Sequence, residues 1–178
     1  MNLSRLLAEY NAAKGPVRVG LIGAGKFGSM ILAQAKHIKG YHIVGVADLD
    51  ISKAKASFAR VHWAAEAYDA PTLSDAYKAG KTCITDDAEA LMEFDGIDCV
   101  IEATGHPIAG IRHALAAIEA GKHVIMVNVE ADVLCGAYLA ARAREKGVVY
   151  SMAYGDQPAA ICELVDWVQA SGFELVAA

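Results

Sequence analysis

The sequence predicts an α/β fold, a doubly wound parallel sheet with helices on both faces. Short apolar runs alternate with longer stretches of helical spacing along the 178 residues, a pattern typical of parallel strands joined by right-handed crossovers. A glycine-rich turn, GAGKFG, follows the first apolar run. Because 55% of the residues are hydrophobic, the chain can fill one core, and we expect a single domain over residues 1–178.

The first half of the chain is predicted to begin with a short amphipathic helix inside residues 1–15. Leucines recur at helical spacing from Asn2 to Ala13, and Lys14-Gly15-Pro16 stops the helix. The elements expected next are strand Val17–Ile22, a helix from near Lys26, strand His42–Ala47, a helix over Ser52–Val61 with Ser52 as N-cap, a helix over Thr72–Ala79, a strand around Thr82–Ile84, and a helix from Asp86 or Asp87 to Asp95-Gly96.

The second half repeats this alternation, with glycine and proline at the helix ends. Gly121 and Gly147 end two helices and Pro158 starts a third, in line with the usual positions of these residues. The expected elements are strand Asp98–Ala103, helix Ile108–Ala120, strand His123–Val127, helix Glu130–Lys146, strand Val148–Met152, helix Pro158–Ala170 and an apolar strand-like tail, Phe173–Ala177.

The end of the chain bears on the domain organisation. From Phe173 to Ala178 an apolar strand starts and the sequence stops without a polar tail, whereas natural C-termini usually finish in solvated segments. We therefore expect a fragment of a longer chain whose catalytic region lies further on. The alternative is a short edge strand that ends there.

The segment Gly23-Ala24-Gly25-Lys26-Phe27-Gly28 has the pattern of a dinucleotide-binding turn. Gly23 allows the tight turn, Gly25 lets a pyrophosphate approach the backbone, and Gly28 permits close helix packing. The second strand ends in Asp48, 20 residues after Gly28, where a carboxylate can accept hydrogen bonds from the adenosine ribose. This Rossmann-type order predicts an NAD(P) cofactor, and the alternative is an ordinary strand-to-helix turn.

Lys26 and Phe27 are interpreted as exposed residues at the helix start, with Phe27 placed to shield the pyrophosphate. The opening turn of that helix offers free N–H groups and a positive dipole end to an anion.

A second group of candidate cofactor residues follows the fourth and fifth strands. Ligands of open parallel sheets bind beyond the carboxyl ends of the strands. Small residues Ala103 and Gly105 would let the nicotinamide ribose lie against the backbone, Thr104 offers a hydroxyl, His106 is a candidate general acid or base, and Asn128 offers an amide. The alternatives are a plain turn, a loop histidine and an Asx turn.

Two further polar groups have weaker claims. Glu130 and Asp132 fit helix capping better than acid/base chemistry, because acidic residues in a first helical turn favour the macrodipole. The Tyr154-Gly155-Asp156-Gln157-Pro158 segment is either a functional loop or a helix entry capped by Asp156. No catalytic residue is assigned.

Charge and cysteine content argue against several classes of protein. Net charge is -5 and the 16 Lys and Arg residues are scattered, which argues against nucleic acid as a partner. The four cysteines show no CxxC spacing, so neither a zinc site nor a disulfide framework is expected. With no signal peptide and no apolar run of bilayer length, we expect a cytoplasmic protein without a membrane partner. The oligomeric state stays open, a homo-oligomer included.

Several longer motifs resemble known oxidoreductases. GLIGAGKFGSM, VGVADLD, IDCVIEATG and AAIEAGKHVIMVN are similar to the cofactor domain of homoserine dehydrogenase-like proteins, a pattern shared with the Gfo/Idh/MocA dehydrogenases. VNVEADVLCG and YSMAYGDQP are most similar to deoxyxylulose-phosphate reductoisomerase-like (DRL) proteins. This resemblance implies NADPH-dependent reduction of a phosphorylated or polyol-like small molecule, with substrate residues and any metal ligands in a region outside this chain.

The chain departs from these relatives at one position. Homoserine dehydrogenases typically carry Asn-Lys after the fifth strand, and the Gfo/Idh/MocA group carries Glu-Lys-Pro nearby. Here Asn128 matches the asparagine, but Val129 stands where the lysine would be. This difference argues against simple homoserine or sugar oxidation.

Cofactor preference and function class each have an alternative. Asp48 favours NAD because its charge repels a 2'-phosphate, whereas Lys53 could neutralise that phosphate, so NAD(P) is left open. A nucleotide-sensing Rossmann module without chemistry is the competing class. The EATGHP and GKHVIMVN segments resemble dehydrogenases rather than sensors, which favours the oxidoreductase.

Overall fold

A computed structural model describes residues 2–154 and 157–177, with residues 157–159 described by their backbone alone. The strands are β1 (Val17–Ile22), β2 (Tyr41–Ala47), β3 (Cys83–Thr85), β4 (Cys99–Glu102), β5 (His123–Met126) and β6 (Tyr150–Met152). The helices are α1 (Leu3–Lys14), α2 (Lys26–Ala35), α3 (Ile51–Arg60), α4 (Leu73–Ala79), α5 (Ala88–Glu93), α6 (Pro107–Glu119), α7 (Val129–Lys146) and α8 (Gln157–Ala170), with a 3-10 turn at Ala65–Ala67.

The strands form one parallel sheet in the order β3-β2-β1-β4-β5-β6. This confirms the predicted Rossmann-type doubly wound fold. After β3 the chain crosses back and β4 pairs with β1 on its other side, so the strand order reverses between β1 and β4. At that point the carboxyl ends of both strands face the same edge, where ligands of such sheets bind. We call it the carboxyl edge.

Two hydrophobic layers cover the sheet. One layer packs α5, α6 and α7 through Leu91, Ile118 and Leu139, and the other packs α2 and α3 through Leu32 and Phe58. All five side chains are fully buried. Across the described ranges, every helix is too short or too polar to traverse a bilayer.

The predicted N-cap of the third helix is wrong. Helix α3 begins at Ile51, and its cap is Asp50, whose Oδ1 accepts from the Lys53 N–H at 3.1 Å. The Ser52 hydroxyl, the predicted cap, instead donates to Asp50 at 2.5 Å. That hydrogen bond is the main reason why the pKa of Asp50 is lowered. The N-cap is therefore the carboxylate of Asp50, two residues before the hydroxyl of Ser52.

The predicted strand over the tail is also wrong. Residues 173–177 follow α8 without extending the sheet, and Phe173 and Val176 are 64% and 92% exposed. The backbone N–H of Phe173 donates to Val168 at 3.0 Å, which closes the last turn of α8. Ala178 lies outside the described residues.

The packing of α3 against the sheet predicts a large stability effect at Phe58. This fully buried ring stacks on Tyr68 at 4.6 Å and meets the edge of Trp63 at 5.1 Å. We expect Phe58→Ala to lower the free energy of unfolding by about 3–5 kcal/mol, because the cavity adds to the lost transfer energy. The exposed Phe173→Ala should change it by less than about 0.5 kcal/mol. Denaturant titration measures both, and equal effects would contradict this packing.

Candidate functional site

The glycine turn after β1 is fixed by close backbone packing. Gly23 has φ +95, and a Cβ there would lie 2.7 Å from the carbonyl oxygen of Ala103 and 2.9 Å from the Thr104 nitrogen. Its N–H donates to Ala47 at 2.8 Å. A Cβ on Gly28 would clash with the carbonyl oxygen of Gly23. These two glycines are therefore required by the fold of the turn, in the roles the motif predicts.

Gly25 has a different role from its two neighbours. A Cβ at this position meets nothing within 4 Å, and its φ of -70 suits any residue. Gly25 is the N-cap of α2 and offers no side-chain cap to the first N–H groups. Among the helices whose starts are described, six others have side-chain N-caps, namely Asn2, Asp50, Thr72, Asp87, His106 and Asn128. The first turn of α2 is thus left open for an external acceptor.

Asp48 binds the turn itself. Its Oδ2 accepts from the Ala24 N–H at 2.8 Å, and its Oδ1 accepts from the Asp50 N–H at 3.0 Å. A carboxylate has about four lone-pair sites, so two hydrogen bonds leave room for ribose hydroxyls. The predicted contact of Asp48 with the ribose stays a prediction, and the structure adds a role in holding the turn.

The loop after β4 reaches the glycine turn through Ala103 and Thr104. The Thr104 hydroxyl donates to Glu102 Oε1 at 2.6 Å, and Gly105 has φ +70. His106 caps α6, since its Nδ1 accepts from the Ala109 N–H at 3.2 Å. With Nδ1 used as an acceptor, the ring is held as a cap, which supports the alternative of a loop histidine over an acid or base.

Asn128 is buried rather than directed at solvent. Asn128 is only 2% exposed. It is the N-cap of α7, where its Oδ1 accepts from the Ala131 N–H at 3.1 Å. Its Nδ2 donates to the His106 carbonyl at 3.0 Å and to Thr104 Oγ1 at 3.4 Å. The amide therefore ties α7 to the loop after β4, and a direct contact of Asn128 with a cofactor stays a prediction.

Glu102 is the site residue that the sequence did not reveal. It ends β4 and is fully buried, and its Oε1 accepts from Thr104 and meets His113 Nδ1 at 3.3 Å. A carboxylate at the end of an apolar strand, followed by Ala103, was the only available signal. Buried carboxylates are rare unless they are paired, so the burial of Glu102 makes it a candidate residue of the functional site.

A basic groove lies between α2 and α3, beside the turn. Its volume is about 560 Å³. Met30 and Val61 form part of its apolar lining, and Lys26, Lys53 and Arg60 supply positive charge. The groove adjoins Gly25, so an anion held at the start of α2 would lie within reach of these side chains. Phe27, predicted to be exposed, is 56% exposed.

Of the two remaining acidic candidates, Asp132 makes a structural hydrogen bond. Glu130 and Asp132 lie in the first turn of α7, and Asp132 accepts from the Tyr150 hydroxyl at 2.7 Å. Burial, with that hydrogen bond second, raises the pKa of Tyr150 well above its ordinary value. In the described part of the chain, no group of three or more His, Cys, Asp or Glu side chains is placed to hold a metal ion.

The loop after β6 is described only in part. The Tyr154 hydroxyl hydrogen-bonds the Glu163 carboxylate of α8. Gly155 and Asp156 lie outside the described residues, so both interpretations of the 154–158 segment stand as the sequence left them.

The chain matches the model of a known protein family over most of its length. The model of the GFO_IDH_MocA oxidoreductase family, described as having an NAD-binding Rossmann fold, matches residues 17–154. That range includes the glycine turn, Asp48 and the loop after β4. The family match confirms the predicted nicotinamide cofactor. A search of curated proteins found no match to the chain.

Solved structures show the same fold. Myo-inositol dehydrogenase from Lactobacillus casei, in complex with NAD(H) and myo-inositol, is 19% identical with a TM-score of 0.61, over 86% of this chain and 42% of its own. Homoserine dehydrogenase from Thiobacillus denitrificans is 23% identical with a TM-score of 0.58, over 77% and 29%. Biliverdin reductase from Synechocystis, in complex with biliverdin and NADP+, is 24% identical with a TM-score of 0.57, over 77% and 37%. The chain spans about two-fifths of the length of such structures or less.

Two glycines of the turn, Gly25 and Gly28, predict separable effects. Gly25→Val should keep the fold, because the position is open, and should abolish NADH binding by filling the space over the first turn of α2. Gly28→Ala should instead lower the free energy of unfolding by about 1–3 kcal/mol through overpacking.

Calorimetric titration with NADH and denaturant unfolding of both variants separate the two effects. Unchanged NADH affinity in a folded Gly25→Val variant would show that the pyrophosphate lies elsewhere.

Proposed function

This chain belongs to the oxidoreductase family with an NAD-binding Rossmann fold, and on that premise we propose how it holds its cofactor. The pyrophosphate lies over Gly23 to Gly28, the adenosine ribose lies at Asp48, and the nicotinamide lies against the Ala103–His106 loop. The chain then acts as the cofactor domain of a longer oxidoreductase. Its partner is a small-molecule substrate held by residues outside this chain.

The open first turn of α2 is the observation that carries the proposal. Other helices along this edge have their first N–H groups satisfied by Asp50, His106 or Asn128, whereas α2 starts at an unobstructed glycine. Backbone donors and the helix dipole there favour a negatively charged group. The Asp48 carboxylate holds the Ala24 N–H and so keeps the turn in the shape that presents those donors.

The bound nicotinamide would supply hydride transfer, and the chain's own residues would position it. The loop that starts at Ala103 packs on Gly23, so the parts of the edge that would meet the pyrophosphate and the nicotinamide are in direct contact. Such rigid support suits a reaction that depends on orientation. His106 and Asn128 stabilise the loop as helix caps, and neither is needed as an acid or base in this scheme.

The substrate class rests on the narrower resemblance. Motifs VNVEADVLCG and YSMAYGDQP are similar to reductoisomerase-like proteins, which supports reduction or reductoisomerisation of a sugar phosphate. Those relatives use NADPH, whereas Asp48 favours NAD in this chain. Val129, at the position of the relatives' lysine, begins α7. An amine that could act on a substrate is therefore missing from this position, and the acid or base must come from elsewhere in the longer chain.

The nucleotide-sensing alternative is not favoured. Its resemblance was confined to the glycine turn and the acid after β2, whereas the family model extends through β4, β5 and β6 to residue 154. The oxidoreductase hypothesis therefore accounts for more of the chain than the sensor hypothesis does.

Asp48 predicts a preference for NADH over NADPH. A carboxylate at the ribose repels a 2'-phosphate, so Asp48→Ala should shift the discrimination toward NADPH by about 1–3 kcal/mol. It should also weaken both cofactors, because the Ala24 N–H loses its acceptor.

Lys53→Met is the matched test, since Lys53 lines the groove beside the turn. Dissociation constants for both cofactors decide the point. A wild-type chain that binds NADPH more tightly, and loses that preference in Lys53→Met, would contradict the role given to Asp48.

These 178 residues should bind cofactor without turning over substrate. Orientation of a substrate against the nicotinamide contributes about 7–11 kcal/mol of barrier reduction, and the chain spans only part of its structural relatives. The measurement is nicotinamide absorbance with sugar phosphates and hydroxy-amino acids, compared between this chain and a longer form. Similar rates would contradict the prediction and would make His106 and Asp156 the first residues to mutate.

A further inference from the structure

A buried carboxylate lies directly behind the loop that would meet the nicotinamide. Glu102 is fully buried, and its Oε2 has no hydrogen-bond partner among the described residues. Gly110 of α6 lies against that oxygen, since a Cβ there would be 3.0 Å from Oε2. A half-satisfied buried carboxylate is costly, so a structural role alone gives little reason for it.

The other oxygen of Glu102 collects the contacts. Oε1 accepts from the Thr104 hydroxyl at 2.6 Å and from the Thr104 backbone N–H at 3.3 Å. His113 Nδ1 on α6 lies 3.3 Å away, and its side chain is 20% exposed. One oxygen thus joins β4, the loop after it and α6.

Glu102 also orients the Thr104 hydroxyl. Thr104 Oγ1 accepts from the His106 N–H at 3.3 Å and from Asn128 Nδ2 at 3.4 Å. Because both of these groups are donors, the proton of the hydroxyl points inward to Glu102 Oε1. Through Thr104, Glu102 therefore sets the direction of the hydrogen bonds that shape the loop.

We propose that Glu102 is a positioning residue for the nicotinamide half of the cofactor. It holds the Thr104–His106 loop against Gly23 without touching the cofactor. This inference rests on the proposed cofactor function. It assigns the buried carboxylate to one half of the ligand, because the contacts of Glu102 reach the loop after β4 and the adjoining helix α6. Among the described residues, none of its hydrogen bonds involves Asp48 or Gly25.

NADH and ADP-ribose together test this role. ADP-ribose keeps the adenosine and pyrophosphate but lacks the nicotinamide. Glu102→Met removes the acceptor at similar length and should weaken NADH binding about five- to ten-fold, the loss expected for one ordinary hydrogen bond. ADP-ribose binding should change less than about two-fold. Glu102→Gln should restore most of the NADH affinity, because its amide oxygen can replace Oε1.

Thr104→Val is the second variant, since Thr104 is exposed and its loss leaves the core intact. If Glu102→Met does not fold, Thr104→Val tests the same role. It should weaken NADH binding more than ADP-ribose binding. Thr82→Val is the matched control, because it removes a buried hydroxyl that donates to Ile43 at 2.7 Å at the far end of the sheet. Neither ligand should respond to it.

Three results would overturn the inference. Equal weakening of NADH and ADP-ribose in Glu102→Met and Thr104→Val would show a structural role only. Unchanged NADH affinity in both folded variants would show that the loop does not act on the nicotinamide. Failure of the wild-type chain to bind either ligand would overturn the proposed cofactor function, and this inference with it.

Discussion

The close contact between Gly23 and the backbone after β4 is the constraint on which the candidate site depends. Strands β1 and β4 pair in register with Ile22 opposite Glu102, and the Ala103 N–H donates to Ile22 at 2.8 Å. Any side chain at Gly23 would strike Ala103. The contact therefore brings the turn that would hold the pyrophosphate and the loop that would hold the nicotinamide together as one backbone surface.

The polar groups around that surface divide into two sets. Asp48, His106 and Asn128 use their side chains to satisfy backbone N–H groups of the protein, as buried and half-buried polar groups must. Glu102 Oε2, which has no partner among the described residues, departs from that rule. At the start of α2, residues 25–27 are exposed and no side chain caps the helix. Unsatisfied groups of this kind gather at functional sites, and here they lie beside the proposed pyrophosphate position and the predicted nicotinamide loop.

The sequence predicts most of the fold because its elements are bounded by strong local signals. Strand β1 was predicted with its observed limits, and Gly147 ends α7 in a left-handed conformation as expected. The strand predicted over 173–177 is wrong because an apolar run has the pattern of a strand whether or not the edge of a sheet lies next to it. Local pattern does not report the position of a partner strand.

The sequence predicted which segments form the candidate site better than it predicted the hydrogen bonds and burial of their side chains. The glycine turn was found because three glycines at fixed spacing have a steric meaning. The burial of Glu102 was not found, because it depends on α6 and α7 closing over the end of β4. The capping roles of His106 and Asn128 likewise depend on where those helices start.

Backbone amide chemical shifts during titration with NADH would show where on the chain the cofactor binds. We expect the largest shift changes at the carboxyl edge, in residues 23–28 and 103–106 and near Asp48, with few elsewhere. At the opposite end of the sheet, a cavity of about 520 Å³ is lined by residues that include Tyr10, Lys122 and His123. Shift changes concentrated in that cavity, with 23–28 unaffected, would show that the cofactor does not bind over the glycine turn.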